Sequence, residues 1–369
     1  MHLATLELLD FRRYEHLSLT LAPGSTVVEG LNGAGKTTLL EAVSWVALGR
    51  SFRGVPDAAL VRHGAERAVV RAAVEVEGRR QTLDAELRIG GRNRVLVNGH
   101  PLGRARDRQE VLRVTIFAPD DLALVKGGPG ERRDYLDDLL VVLAPRYEAA
   151  RADYERVLKH RNALLKGGGR DAEAAATLDV FDDQLARAGA EIVRGRLRLV
   201  ARLAPGITEA SSYFAGRTVS VKGTYEAEWA GSVGPDPETL EDDLRSALRA
   251  LRSRELDRGL TLAGPHRDEW RLSLDGLDTR THASQGEQRS LALALRLTGH
   301  RTCTEVLGTP PVLLLDDVFS ELDDRRATAL AAALPGGQTL ITTASPLPES
   351  VVTDDHRVVV AGTVTERNG

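Results

Sequence analysis

Residues 30–37 read Gly-Leu-Asn-Gly-Ala-Gly-Lys-Thr, the G-x-x-x-x-G-K-[ST] pattern of a phosphate-binding loop. No other stretch limits the possible folds as strongly, because such a loop works only between a strand and a helix. The flanks comply. Thr26, Val27 and Val28 are strand formers, and residues 38–48 carry helical periodicity up to Gly49, a residue suited to a C-cap. Glycines let backbone N–H groups curl round phosphate oxygens with no Cβ in the way. The helix N-terminus turns its positive dipole end toward the same anion. The pattern assigns Gly30, Leu31, Asn32, Gly33, Ala34, Gly35, Lys36, Thr37 and Thr38 to a nucleoside triphosphate. Lys36 reaches the β- and γ-phosphates in such a loop, and Thr37 offers its hydroxyl to Mg²⁺.

A second element lies far downstream. Pro311-Val-Leu-Leu-Leu-Asp316-Asp317 is a continuous apolar run ending in two carboxylates, as in a strand buried on both faces. Ligands of α/β sheets sit at the carboxyl ends of strands, where Asp316 and Asp317 would emerge. Asp316 then joins Thr37 as a Mg²⁺ ligand, and Asp317 orients or deprotonates the attacking water. Asp316 comes 286 positions after Gly30, so something is inserted between the two halves of one site. Just before this strand, Ala283-Ser284-Gln285-Gly286-Glu287-Gln288 opens a helix. Alone, it is an ordinary capping box, with Ser284 as N-cap and Glu287 three residues on. It is also an anion site, with a hydroxyl and N–H groups aimed outward. Ser320-Glu321-Leu322-Asp323 follows the strand.

These four pieces, in this order, resemble the head of the ABC-type ATPases. GLNGAGKT is similar to Walker A, SQGEQ to the signature motif, VLLLDD to Walker B and SELD to the D-loop. Further segments resemble the SMC-like branch and, within it, the RecF family. They are Asp10-Phe-Arg-Arg-Tyr14, Gly49-Arg-Ser-Phe-Arg53, Phe117-Ala-Pro-Asp-Asp-Leu122, Lys126-Gly-Gly-Pro-Gly-Glu-Arg-Arg133 and Gly264-Pro-His-Arg-Asp268. The resemblance implies an ATP-driven homodimer in which Ser284 and Gly286 of one protomer cap the γ-phosphate held by the other. It implies weak, DNA-dependent ATP hydrolysis with Mg²⁺, and recombinational repair at replication gaps. The task would be recognising duplex beside single-stranded DNA and helping RecR, and RecO through it, load the RecA recombinase. Some positions depart from the transporter pattern. Asp317 stands where transporters carry Glu, and Glu287 where they prefer Gln. The strand around Leu340-Ile-Thr-Thr-Ala-Ser345 carries no switch histidine, and no Q-loop glutamine follows Ile116-Phe117.

The fold class expected is α/β, an ABC-type ATPase head with mixed sheets and an inserted helical hairpin arm. Residues 1–119 and 257–369 would form the head and 120–256 the arm. Asp134–Leu143 reads as helix. Tyr147, Ala150, Tyr154, Val157, Arg161 and Leu164 then form one apolar stripe. Gly167-Gly-Gly-Arg170 breaks it, and Leu178, Phe181, Leu185, Ala188, Ile192 and Leu199 form a second. Arms of this length reach about 35–45 Å, too short for a chromosome-organising coiled coil. The second arm carries Arg187, Arg194, Arg196, Arg198 and Arg202, a solvated face or phosphate contacts. Alternating runs near Thr218–Val221 and Leu272–Leu274 suggest strands rejoining the head. His266 has either a structural or a nucleotide-linked role.

Net charge is −4, yet residues 50–113 hold 14 Arg against 8 acids, a candidate basic surface. Arg92, Arg94, Arg104, Arg106 and Arg108 are its candidate contacts with DNA phosphates. Cys303 is the lone cysteine, which excludes an internal disulfide. No apolar run approaches a membrane span, and the N-terminus has no signal-peptide pattern, so the expected place is the cytoplasm. Two rival readings remain open: a transporter's nucleotide-binding subunit, against which the inserted hairpin and missing histidine speak, and a structural SMC-type tether, which the short arms disfavour.

Overall fold

A computed structural model describes residues 1–103, 107–168, 171–230, 234, 236–360 and 362–366. Arg104, Arg106 and Arg170 lie outside the described residues. The chain folds as two compact units, Met1–Asp121 with Leu293–Gly369, and Leu122–Ala292.

The first unit holds two six-stranded sheets. One is antiparallel, in the order Tyr14–Thr20, His2–Phe11, Arg67–Val76, Arg79–Arg88, Arg94–Val97, His100–Pro101. The other runs Thr363–Glu366, Asp355–Val360, Ser25–Glu29, Thr339–Thr343, Val312–Asp316, Val114–Phe117, parallel except for its first strand. Val312–Asp316 and Thr339–Thr343 are buried at every position, which accounts for the apolar run of the first and the β-branched, charge-free sequence of the second. The helix Lys36–Leu48 touches strands of both sheets. It is therefore buried nearly all round, and its apolar residues show no single stripe. Gln338 ties the sheets together: its amide accepts from Leu3 N at 2.7 Å and donates to Leu3 O and Ala22 O at 2.9 and 2.8 Å.

The second unit contains helices Pro129–Leu143, Arg146–Lys166, Ala172–Ala215 and Pro237–Arg258. The two expected arms are present, and their apolar stripes face inward. The second arm is longer than its sequence stripe suggested. Ala172–Ala215 runs 44 residues and continues through Pro205, about 66 Å at 1.5 Å per residue. Pro237–Arg258 packs on both arms as a third helix. Arg161, on the first stripe, is fully buried and binds Asp182, Glu255 and Thr261 at 2.7, 2.7 and 2.9 Å. Arg196 corrects the reading of a solvated arginine row. It is buried, bidentate to Asp137 at 2.8 Å, and donates to Pro265 O at 2.7 Å.

The expected strands rejoin no head sheet. Val221–Glu226 and Leu277–Asp278 flank Glu269–Leu274 in an antiparallel sheet of the second unit. Trp270 on this sheet is 1% exposed and stacks on Tyr135, centroids 6.0 Å apart. Arg132 grips Glu269 at 2.8 and 2.9 Å. Such contacts keep residues 257–292 with the helices, so the first unit resumes at Leu293 rather than at 257.

Candidate nucleotide site

The loop after Ser25–Glu29 has the strained backbone its glycines permit. Gly33 and Gly35 sit at φ 79° and 120°. A Cβ on Gly35 would lie 2.9 Å from Tyr14 Oη, which donates to Gly35 O at 3.1 Å. Lys36 is 5% exposed, and its ammonium donates to Gly30 O at 2.7 Å and Leu31 O at 3.1 Å. The cation therefore spans the loop it would share with a triphosphate.

The structure brings the expected metal ligands together. Thr37 Oγ1 donates to Asp316 Oδ1 at 2.8 Å. Thr342 Oγ1 donates to the same oxygen at 2.7 Å. Burial pushes the Asp316 carboxyl above its ordinary value, while these two hydroxyls work against that shift. A hydroxyl and a carboxylate are hard oxygen donors, the set that suits Mg²⁺. Among the described residues no group of three or more His, Cys, Asp or Glu could hold a metal.

Asp317 adopts φ 50° beyond the strand end. Its Oδ1 accepts from Ser320 Oγ at 2.6 Å and Ala344 N at 3.1 Å, and its own N–H donates to Thr342 Oγ1 at 3.0 Å. The SELD serine thus orients the carboxylate, and Asp323 caps the helix Asp324–Ala333 through Arg326 N at 2.8 Å.

A cleft of about 560 Å³ opens over the loop, lined by Asn32, Gly33, Gly35, Lys36, Thr37, Thr38 and Asp317. Arg12, Arg13, Arg53 and His63 line it too. Sequence reading marked the segments of Arg12, Arg13 and Arg53, but not these side chains as cleft groups, and singled out no motif at His63. Arg12, at φ 55°, is bidentate to the buried Glu41 of the loop helix at 3.0 and 2.9 Å. Arg12 and Arg13, paired before the glycine-rich loop, were the available signal; Arg53 and His63 follow the loop and carried none.

The signature segment, in the second unit, has the reciprocal capping geometry. Ser284 N and Oγ donate to Glu287 Oε2 at 3.0 and 2.9 Å, and Glu287 N donates to Ser284 Oγ at 3.3 Å. Arg217 holds Glu287 at 3.0 Å and Asp275 at 2.9 Å. Ser284 is exposed and Gly286 half-buried. His266, also in that unit, faces Tyr154 Oη at 2.7 Å and Thr261 O at 3.3 Å. Burial lowers it to about 4, a packed neutral imidazole.

Of the basic candidates, Arg92 and Arg94 are exposed on a hairpin. Arg108 is half-buried, its guanidinium 5.8 Å from the Trp45 ring centroid. Part of the excess charge is internally paired: Arg67 and Arg88 with Glu86, and Arg71 with Glu7. No helix among the described residues is long and apolar enough to cross a membrane.

Residues 2–346 match the family described as RecF/RecN/SMC N terminal domain. The DNA replication and repair protein RecF of Acidothermus cellulolyticus is 45% identical over 371 residues, covering 98% of this chain and 100% of the relative. That of Frankia alni is 46% identical over 376 residues, with 99% of each chain covered. A solved structure of the recombination mediator protein RecF with ATP, in the RecFOR pathway, is similar with a TM-score of 0.91 and 29% identity, over 100% of this chain and 98% of that one. A phosphate loop closed by a distant Asp-Asp strand, within likenesses that run the length of the chain, places it in the RecF family of DNA replication and repair proteins, among the SMC-like ATPases.

Proposed function

We propose that this chain is an ATP-switched DNA clamp that acts in recombinational repair at replication gaps. The observation that carries the reading is the Thr37–Asp316 contact of 2.8 Å, with Asp317 beside it at the strand end. ATP enters the cleft, and Lys36 exchanges the carbonyls of Gly30 and Leu31 for β- and γ-phosphate oxygens. Thr37 and Asp316 would hold Mg²⁺, which would supply positive charge against the developing phosphate charge. Asp317, fixed by Ser320 and Ala344, orients the water. It is one methylene shorter than Glu, so it reaches less directly and turnover is slow. Ser284 and Gly286 of a second copy close over the γ-phosphate, completing an ATP-dependent homodimer.

The first unit acts as the ATPase head and the helical unit as the arm. The residues proposed to meet DNA phosphates are Arg92, Arg94, Arg104, Arg106 and Arg108, so binding is largely sequence-independent. The relative described as a recombination mediator in the RecFOR pathway supports RecR, and RecO through it, as partners in loading RecA from the cytoplasm. The test is ATPase rate and dimer fraction with and without duplex and gapped DNA. Both should rise with DNA and ATP together. A transporter subunit would respond to neither, and a passive tether would bind DNA with no change in rate.

A further inference from the structure

The helix Lys36–Leu48 carries the phosphate-binding residues at its first turn and Trp45 at its last. Trp45 is 1% exposed, and its indole N–H donates to Asp57 Oδ1 at 2.7 Å. The other oxygen, Asp57 Oδ2, accepts from Asn93 Nδ2 at 2.6 Å. Asn93 lies in the turn between Arg79–Arg88 and Arg94–Val97, flanked by Arg92 and Arg94, and its Oδ1 accepts from Arg88 N at 3.1 Å. Asp57 also opens the short turn Asp57–Leu60. Ala59 and Val61 of that segment line the nucleotide cleft, and Leu60 O accepts from Arg12 N at 2.7 Å. One carboxylate thus joins the phosphate-loop helix, the basic hairpin and the cleft wall.

A second contact reaches the same helix end. The Arg108 guanidinium lies 5.8 Å from the Trp45 centroid and occupies the space a Cβ would take on Gly49, 1.7 Å from Nη1. Gly49 caps the helix at φ 76°, so no other residue fits there easily. Next to Arg108, Gln109 Nε2 donates to Ala47 O at 3.0 Å, satisfying a terminal helix carbonyl.

We propose that Asp57, with Trp45, couples DNA phosphates bound along Arg92, Arg94 and Arg108 to the nucleotide cleft, relaying DNA binding from outside the cleft rather than holding nucleotide itself. This rests on the reading of that basic edge as the DNA surface. A bidentate guanidinium–phosphate contact outcompetes a cation–π contact at a partly exposed site. Bound DNA therefore draws Arg108 off the indole and fixes the hairpin that Asn93 anchors. Both changes arrive at Trp45 and Asp57, and Asp57 passes them to the cleft wall. Coupling of this kind is reciprocal, so ATP must raise DNA affinity by the factor by which DNA raises ATP affinity.

Asp57→Asn separates coupling from folding. The Asn keeps an acceptor for the indole but turns an N–H toward the Asn93 amide. Asn93 cannot flip in response without losing the Arg88 N–H. The experiment measures Kd for ATP with and without saturating 30-base-pair duplex, using full-length protein and Mg²⁺. Wild type should show at least about fivefold coupling, the low end of common values. Asp57→Asn should bring it below twofold while leaving ATP affinity without DNA within twofold. Asn93→Ala, which touches neither the helix nor the cleft, should do the same. With 5-fluorotryptophan incorporated, DNA should shift the Trp45 resonance, assigned by Trp45→Phe, and not those of Trp229 and Trp270 in the second unit. Coupling that survives both substitutions, or equal loss of ATP affinity with and without DNA, overturns the proposal. Arg92→Glu with Arg94→Glu tests the underlying surface separately. Unchanged DNA affinity in that variant removes the basic edge, and the proposal with it, even where Asp57→Asn uncouples.

Discussion

Thr37 Oγ1 donates to Asp316 Oδ1 across 2.8 Å, although 279 residues separate them in the chain. Thr342 donates to the same oxygen at 2.7 Å and accepts from Asp317 N at 3.0 Å. Three strands' worth of sequence therefore meets at one carboxylate, and parallel pairing of Val312–Asp316 with Thr339–Thr343 sets the register.

Thr342→Val should reveal this dependence. It removes one of the two hydroxyl donors to Asp316 Oδ1 and one of the two acceptors of Asp317 N–H, which keeps Thr342 O at 3.0 Å, so the cost should be about 1 kcal/mol. Thermal unfolding should show that loss. Single-turnover hydrolysis should slow more than ATP affinity falls, because the backbone that presents Asp317 loses its side-chain acceptor even though Ser320 and Ala344 still hold the carboxylate. Equal effects on binding and turnover would mean Asp317 is held without Thr342.

Lys36→Met should weaken ATP binding by at least about tenfold to a hundredfold, the worth of a charge-assisted hydrogen bond of about 1.5–3 kcal/mol. Fold stability should hardly change, since Gly30 is half-buried and Leu31 exposed, so water can take the place of the ammonium. Titration calorimetry measures the affinity, and thermal unfolding the stability. Wild-type affinity in this variant would remove the loop from the site.

The loop and the Asp-Asp strand were legible because local rules and function agree there: glycines at positive φ, an apolar strand ending in carboxylates, and a helix start. Thr342 was not, because nothing in Thr339–Thr343 distinguishes the one hydroxyl that points at Asp316 from its neighbours. Arg196 was misread for a related reason. On a helix, an arginine's burial depends on whether another element offers a carboxylate, and Asp137 lies 59 residues away. The boundary at 257 failed because short alternating strands carry no mark of which sheet they join, and Trp270 and Glu269 decide that by packing against the helical unit.

Arg217→Ala should weaken ATP-dependent dimerisation without touching nucleotide binding by the monomer. Arg217 neutralises Glu287, the acceptor of the Ser284 hydroxyl. Without it an unpaired carboxylate stands beside the position a partner's γ-phosphate must approach. A several-fold rise in dimer Kd, measured by sedimentation with ATP, is expected. An unaltered dimer Kd would detach Arg217 from the closure.

His300 is 1% exposed, its Nδ1 lies 2.6 Å from Thr115 Oγ1, and burial holds it down to about 4. The unfolded chain protonates below about 6.5 while the native ring stays neutral, so stability falls as pH drops from 6.5 to 4. At pH 5 the loss is about 2 kcal/mol. His266 has the same sign, but Asp268 beside it, pushed up to about 6 by burial, has the opposite one and offsets it. His300→Gln cannot titrate and should shrink the drop in Tm between pH 7.5 and 5. An unchanged drop would place the acid sensitivity elsewhere.

ATP binding, not hydrolysis, should close the dimer, because only the γ-phosphate would give Ser284 and Gly286 of a second copy something ADP lacks. Asp317→Asn keeps the carboxylate's shape and removes its charge, so the dimer should form with ATP and persist. Ser284→Arg keeps the nucleotide pocket and blocks closure. The most direct measurement is multi-angle light scattering of wild type and both variants with ATP, ADP and no nucleotide. A dimer mass should appear with ATP alone in wild type and Asp317→Asn, and a monomer in every condition for Ser284→Arg. A dimer that forms equally well with ADP, or survives Ser284→Arg, would contradict the account and leave the signature segment as a capped helix.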